Sequence, residues 1–145
     1  MISTHIRTVL ALTVAGWLIG SATALAETIT YKADLAAASV VPPTTSKATG
    51  AVTATYDTVS RELVWKGDYS GLSGPETAAH FHGPAAAGKN AGVAVPMAAA
   101  QSPFEGKATL SDAQAADLAA GMWYVNIHTG ANPGGEIRGQ VLKSN

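Results

Sequence analysis

His80 and His82 flank Phe81 in Ala79-His80-Phe81-His82-Gly83-Pro84, and His128 closes Trp123-Tyr124-Val125-Asn126-Ile127-His128. In an extended chain successive side chains point to opposite faces. The His-x-His pair therefore projects from one face, with Phe81 behind it. Tyr124, Asn126 and His128 likewise share a face opposite Val125 and Ile127. A third segment follows the same logic: Ile137 and Val141 alternate with Glu136, Arg138 and Gln140. Two imidazoles from one strand and a third from another can bind a single zinc or copper ion and leave a coordination position open. Glu136 is a candidate fourth ligand, or the carboxylate that orients a ligating ring. Asn126 and Arg138 complete the polar surface around them. The same residues also fit a plainer role. Histidines on a polar strand face are commonly solvated or hydrogen-bonded, and Glu136 with Arg138 would make a surface ion pair worth under about 1 kcal/mol. Met97 and Met122 are thioethers better suited to filling a core than to binding copper.

The elements that must position these groups are strands. Alternation with period two, bounded by turn residues, marks segments 28–35, 50–57, 62–69, 78–82, 93–95, 104–110, 122–128 and 136–142. In the first, Ile29, Tyr31, Ala33 and Leu35 face one way. Val52, Ala54 and Tyr56 do so in the second, and Leu63 and Trp65 in the third. The short polar connection Asp57-Thr58-Val59-Ser60-Arg61 predicts a hairpin. One helix is expected over 112–120. Ser111 and Gln114 form a capping box at its start, Gly121 stops it, and Ala113, Ala116 and Leu118 supply a small apolar face. The Gly-, Ala- and Pro-rich stretch 83–97 predicts an ordered loop around one short strand. Seven or eight strands at this spacing predict an all-β fold, an antiparallel β-sandwich or Greek-key barrel with one short helix. The last two strands are expected to pair through the turn between His128 and Glu136.

Residues 1–26 read differently. Arg7, an apolar run from Val9 to Ile19 and small residues ending in Ala24-Leu25-Ala26 have the order of a cleavable secretory signal peptide. The run is shorter than the ~20 residues a spanning helix needs. Cleavage after Ala26 would leave one domain over 27–145, periplasmic or secreted, with no stable membrane anchor. That domain would carry eight Lys+Arg against ten Asp+Glu. It lacks the basic stripe that nucleic-acid binding requires. The chain has no cysteine, which excludes a disulfide framework, a thiol nucleophile and a lipidated N-terminal Cys. No Gly-x-Ser-x-Gly elbow and no phosphate-cradling glycine loop occurs.

Four segments together resemble the CHRD domain, a module named after chordin and found in secreted microbial proteins. They are Ala79-His80-Phe81-His82-Gly83-Pro84-Ala85, Leu110-Ser111-x-x-Gln114, Gly121-x-x-Tyr124-Val125-Asn126-Ile127-His128-Thr129 and Pro133-Gly134-Gly135-Glu136-Ile137-Arg138-Gly139-Gln140. The resemblance spans nearly all of the chain after residue 27. It implies an all-β extracytoplasmic module, and no particular catalytic activity. Its motif residues on this chain are His80, His82, Asn126, His128, Glu136 and Arg138. A looser similarity of architecture is to copper–zinc superoxide dismutase, whose two-metal centre needs more histidines than three. Three functions are consistent with these residues: binding of one copper or zinc ion, a non-enzymatic module that binds a protein or glycan without metal, and a single-metal redox enzyme.

Overall fold

The computed structural model describes residues 25–98 and 101–144; the expected signal peptide, apart from Leu25 and Ala26, lies outside them. Eight strands form: β1 (Thr28–Ala36), β2 (Thr49–Asp57), β3 (Glu62–Ser70), β4 (Glu76–His82), β5 (Val93–Met97), β6 (Phe104–Thr109), β7 (Trp123–Thr129) and β8 (Ile137–Lys143). The helix α1 (Asp112–Ala119) lies between β6 and β7, and one 3-10 turn, Ala37–Ser39, follows β1. The strands join one antiparallel sheet in the order β5-β4-β7-β8-β1-β2-β3-β6. Trp65 on β3 meets Phe81 on β4 edge to face at 5.2 Å, although four strands separate β3 from β4 in the sheet. The sheet therefore curls until its two halves face each other across one core. The result is a nearly closed barrel with one short helix, as the strand pattern predicts.

The alternation read from the sequence sets the inward face. Tyr31, Ala33 and Leu35 of β1, Val52, Ala54 and Tyr56 of β2, and Leu63 and Trp65 of β3 are all buried. Phe81, Val125, Ile127, Ile137 and Val141 continue the same core from β4, β7 and β8. Burying such side chains contributes ~1.5–3 kcal/mol each. The β2–β3 hairpin closes as expected. Asp57 Oδ1 accepts from the backbone N–H groups of Val59 (3.0 Å) and Ser60 (2.7 Å), which locks the turn.

Two local expectations are corrected. β5 runs on through Pro96 to Met97 instead of stopping at Val95. It can do so because it is an edge strand, where proline's missing N–H faces no partner. The helix has the predicted capping box, with Ser111 Oγ accepting from Gln114 N and Gln114 Oε1 accepting from Ser111 N. Its core face is different, however: Ala113 and Ala116 are exposed, while Leu118 is buried and Ala115 packs beside the core. The spacing of 115 and 118 is one helical turn, and it is Leu118, the largest apolar group available, that fixes which side docks. Among the described residues no helix is long and apolar enough to cross a membrane.

Candidate metal centre

β4, β7 and β8 lie side by side, so their outward side chains form one surface. Ala78 stands opposite His128, His80 opposite Asn126, and His82 opposite Tyr124; Asn126 in turn stands opposite Arg138. A register shift between Phe81 and His82, where β4 pairs with β5, re-aims the end of the His-x-His strand. The three histidines come together. One nitrogen from each of His80, His82 and His128 falls within 4.8 Å of the others.

Hydrogen bonds set the tautomers of two rings. His82 Nδ1 lies 3.1 Å from the Ala91 carbonyl and His128 Nδ1 lies 2.9 Å from the Pro133 carbonyl. A carbonyl only accepts, so both Nδ1 atoms carry a proton, which in a neutral ring leaves the lone pair on Nε2. His80 Nδ1 is 3.3 Å from His128 Nε2 and shares a hydrogen bond with it. His82 Nε2 is buried and has no hydrogen-bond partner. Burial lowers the pKa of His80, and the neighbouring His128 adds to this. Burial likewise dominates the lowered pKa of His82. Neutral rings are the ligating form, and a carbonyl holding the far nitrogen is the usual support of a metal-binding histidine. Bonds of ~2.0–2.1 Å in a tetrahedral arrangement put ligand nitrogens about 3.3 Å apart. The His80–His128 pair already has that spacing, and the His82 nitrogen lies within 4.8 Å of both. The donor set fits a copper or zinc ion.

The supporting residues are arranged otherwise than the sequence suggests. Glu136 does not reach the rings. It is fully buried, and its carboxylate accepts from Ser46 Oγ (2.6 Å), Ser73 N (2.8 Å), Ser73 Oγ (2.7 Å), Thr129 Oγ1 (2.6 Å) and Asn132 Nδ2 (3.1 Å). Burial alone would raise its pKa, but the hydrogen bonds from Ser46, Thr129 and Ser73 outweigh it and bring the value down to about 2. With both oxygens committed, Glu136 is neither a fourth ligand nor an orienting partner for a histidine. It ties the β1–β2, β3–β4 and β7–β8 connections together. Nor does it pair with Arg138. Arg138 is 2 % exposed; its guanidinium donates to Asn90 Oδ1 (2.9 Å) and the Lys89 carbonyl (2.6 Å), and lies 3.4 Å from the centroid of the Tyr124 ring. Asn126 donates to the Gly134 carbonyl at 3.1 Å, and its amide lies against Gly135.

Tyr124 is the residue whose part is not readable from spacing. Its ring stacks on His82, with centroids 4.9 Å apart and planes 3° from parallel. Its hydroxyl donates to the Ala91 carbonyl, the same oxygen that holds His82 Nδ1, and accepts from Ala91 N. Tyr124 thus fixes the His82 ring plane and the carbonyl that sets its tautomer. The one available signal was its place on the polar face beside Asn126 and His128.

No curated protein and no solved structure matches the chain. A family model for the CHRD domain matches residues 31–141, a span that takes in six strands whole, most of β1 and β8, and every residue of the histidine cluster. The chain therefore belongs to the CHRD domain family.

Proposed function

We propose that this protein is an exported, periplasmic or secreted CHRD domain that binds one copper or zinc ion through His80, His82 and His128. The observation that carries the reading is the convergence of three imidazole nitrogens within 4.8 Å around a buried, unpartnered His82 Nε2. A buried polar atom without a partner costs about 1–3 kcal/mol, and a metal ion would satisfy it. A bound ion would act there as a Lewis acid or, if copper, as a one-electron centre. His82 and His128 are pre-set to offer Nε2, while His80 would exchange its hydrogen bond to His128 for a metal bond. Export is supported by the order of charged, apolar and small residues in 1–26.

Titration of the purified protein with copper and with zinc, compared with H80A, H82A and H128A, tests the reading. Each substitution is expected to weaken binding by more than the roughly 10–100-fold that loss of a mere orienting partner costs. Binding that survives undiminished in all three variants would refute the site.

A second reading, a metal-free module that binds a protein or glycan, is favoured by the hydrogen bond between His80 and His128, which joins two of the rings without any ion. Its signature is a melting temperature that neither metal changes. The net negative charge argues against nucleic acid as the partner.

A further inference from the structure

Resting on the three-histidine reading, we propose that the site selects by charge, holding Cu(I) in preference to Zn(II) or Cu(II), and that Arg138 supplies the field that sets this preference. The first ground is the donor set. The cluster offers three imidazoles and no carboxylate. Immediately before the neighbouring strand β8, Glu136 has both oxygens saturated by serine, threonine and asparagine donors. A bound ion therefore keeps its full charge. The cost of holding charge away from water rises steeply with its size, so a divalent ion is penalised far more than a monovalent one.

The second ground is the buried cation. Arg138 is 2 % exposed, and among the described residues its hydrogen-bond partners are a backbone carbonyl and an amide, with no carboxylate. It is held against one ring, Tyr124, that is itself stacked on the ligand His82. The positive charge is thus fixed one aromatic ring away from the metal position, behind a face covered by residues 83–92. Its repulsion acts twice as strongly on a divalent ion as on a monovalent one. The third ground is coordination. Three nitrogens complete a trigonal Cu(I) shell, whereas zinc needs a fourth ligand, which here would have to be water because Glu136 is not free to serve.

The test is anaerobic competition of the purified protein against chromophoric chelators for Cu(I) and Zn(II), together with the reduction potential of the copper-loaded form. Wild type is expected to bind Cu(I) more tightly than Zn(II). R138M, which removes the charge, is expected to shift the Cu(I)-to-Cu(II) affinity ratio about tenfold toward the divalent ion, which lowers the potential by about 59 mV. R138K, which keeps a charge, should stay nearer wild type. Because R138M could also loosen the loop it binds, N126D gives an independent arm: the near-isosteric change places an anion between His80 and Arg138 and should move the ratio in the same direction. A melt of each variant without metal identifies those that fold. Equal affinity for Zn(II) and Cu(I) in wild type overturns the inference, as does an unchanged ratio in whichever of R138M and N126D is folded. Failure of both ions to bind overturns the three-histidine reading itself, and this inference with it.

Discussion

Replacing Glu136 with glutamine tests how the barrel end beneath the histidines is held. The wild-type carboxylate accepts five hydrogen bonds, from Ser46, Ser73 (twice), Thr129 and Asn132, while fully out of solvent. Its pKa falls from the usual 4.5 to about 2. At 1.36 kcal/mol per pH unit that fall corresponds to about 3 kcal/mol. The donors lie close to the surface, and screening reduces the expected contribution to about 2 kcal/mol. Because the folded-state pKa is depressed, the unfolded chain binds the extra proton between the two values. The stabilisation is therefore complete above about pH 4.5 and is lost as pH falls through about 2. E136Q cannot titrate and turns an amide N–H toward groups that already donate. At pH 7 it should be less stable than wild type by about 2 kcal/mol or more, roughly 6–10 °C in melting temperature for a domain of this size. Thermal and urea melts at pH 7, 4.5, 3.5 and 2.5 measure the gap. It should hold from pH 7 to 4.5 and then shrink. A gap below about 0.5 kcal/mol at neutral pH, or one equally large at pH 2.5, would show that the hydrogen-bonded carboxylate does not do what its surroundings imply.

S111A should lower stability by about 1 kcal/mol in denaturant melts, since Ser111 Oγ caps the first turn of α1 and no other side chain replaces it; an unchanged midpoint would mean that the helix is held by Leu118 alone. G135A should be more damaging, by about 2 kcal/mol or more, because Gly135 has φ +122 and an added Cβ would drive into the Asn126 amide. G135A should also weaken metal binding, since Asn126 sits next to His80 across the β4–β7 ladder, and a variant with wild-type stability and affinity would count against the close approach. Y124F, which keeps the ring on His82 but loses the hydroxyl bonds to Ala91, should bind metal more weakly by up to about tenfold and less severely than Y124A. Equal affinities for the two variants would leave the stack without a role.

The barrel was largely legible because its signal is local. Tyr31, Ala33 and Leu35, or Val52, Ala54 and Tyr56, point inward for the same reason that they alternate. The capping box of α1 could be read because it involves only Ser111 and Gln114, three residues apart. Which helical face docks could not, because that depends on where Leu118 meets the sheet, and Ala113 and Ala116 were exposed by that choice. In the site, the shared face of His80, His82 and His128 followed from period two and from pairing of neighbouring strands. The fate of Glu136 did not follow, since its partners Ser46 and Ser73 lie on connections 90 and 63 residues away. Nothing in their spacing distinguishes a serine that cages a carboxylate from one in solvent. Tyr124 was hidden for a related reason: its role depends on residues 89–91, a stretch of Lys, Asn and Ala whose backbone carbonyls and single amide do the work.

The central claim is that His80, His82 and His128 form a metal site, and elemental analysis of the untagged protein combined with melts in the presence and absence of copper and zinc tests it most directly. An ion that binds only the folded chain stabilises it by about 2.7 kcal/mol at a hundredfold excess over its dissociation constant, roughly 8–13 °C here. The account predicts close to one metal per chain and a rise of that order in wild type that is absent in H82A. Protein without metal whose melting temperature neither ion moves, or a rise just as large in H82A, would contradict it.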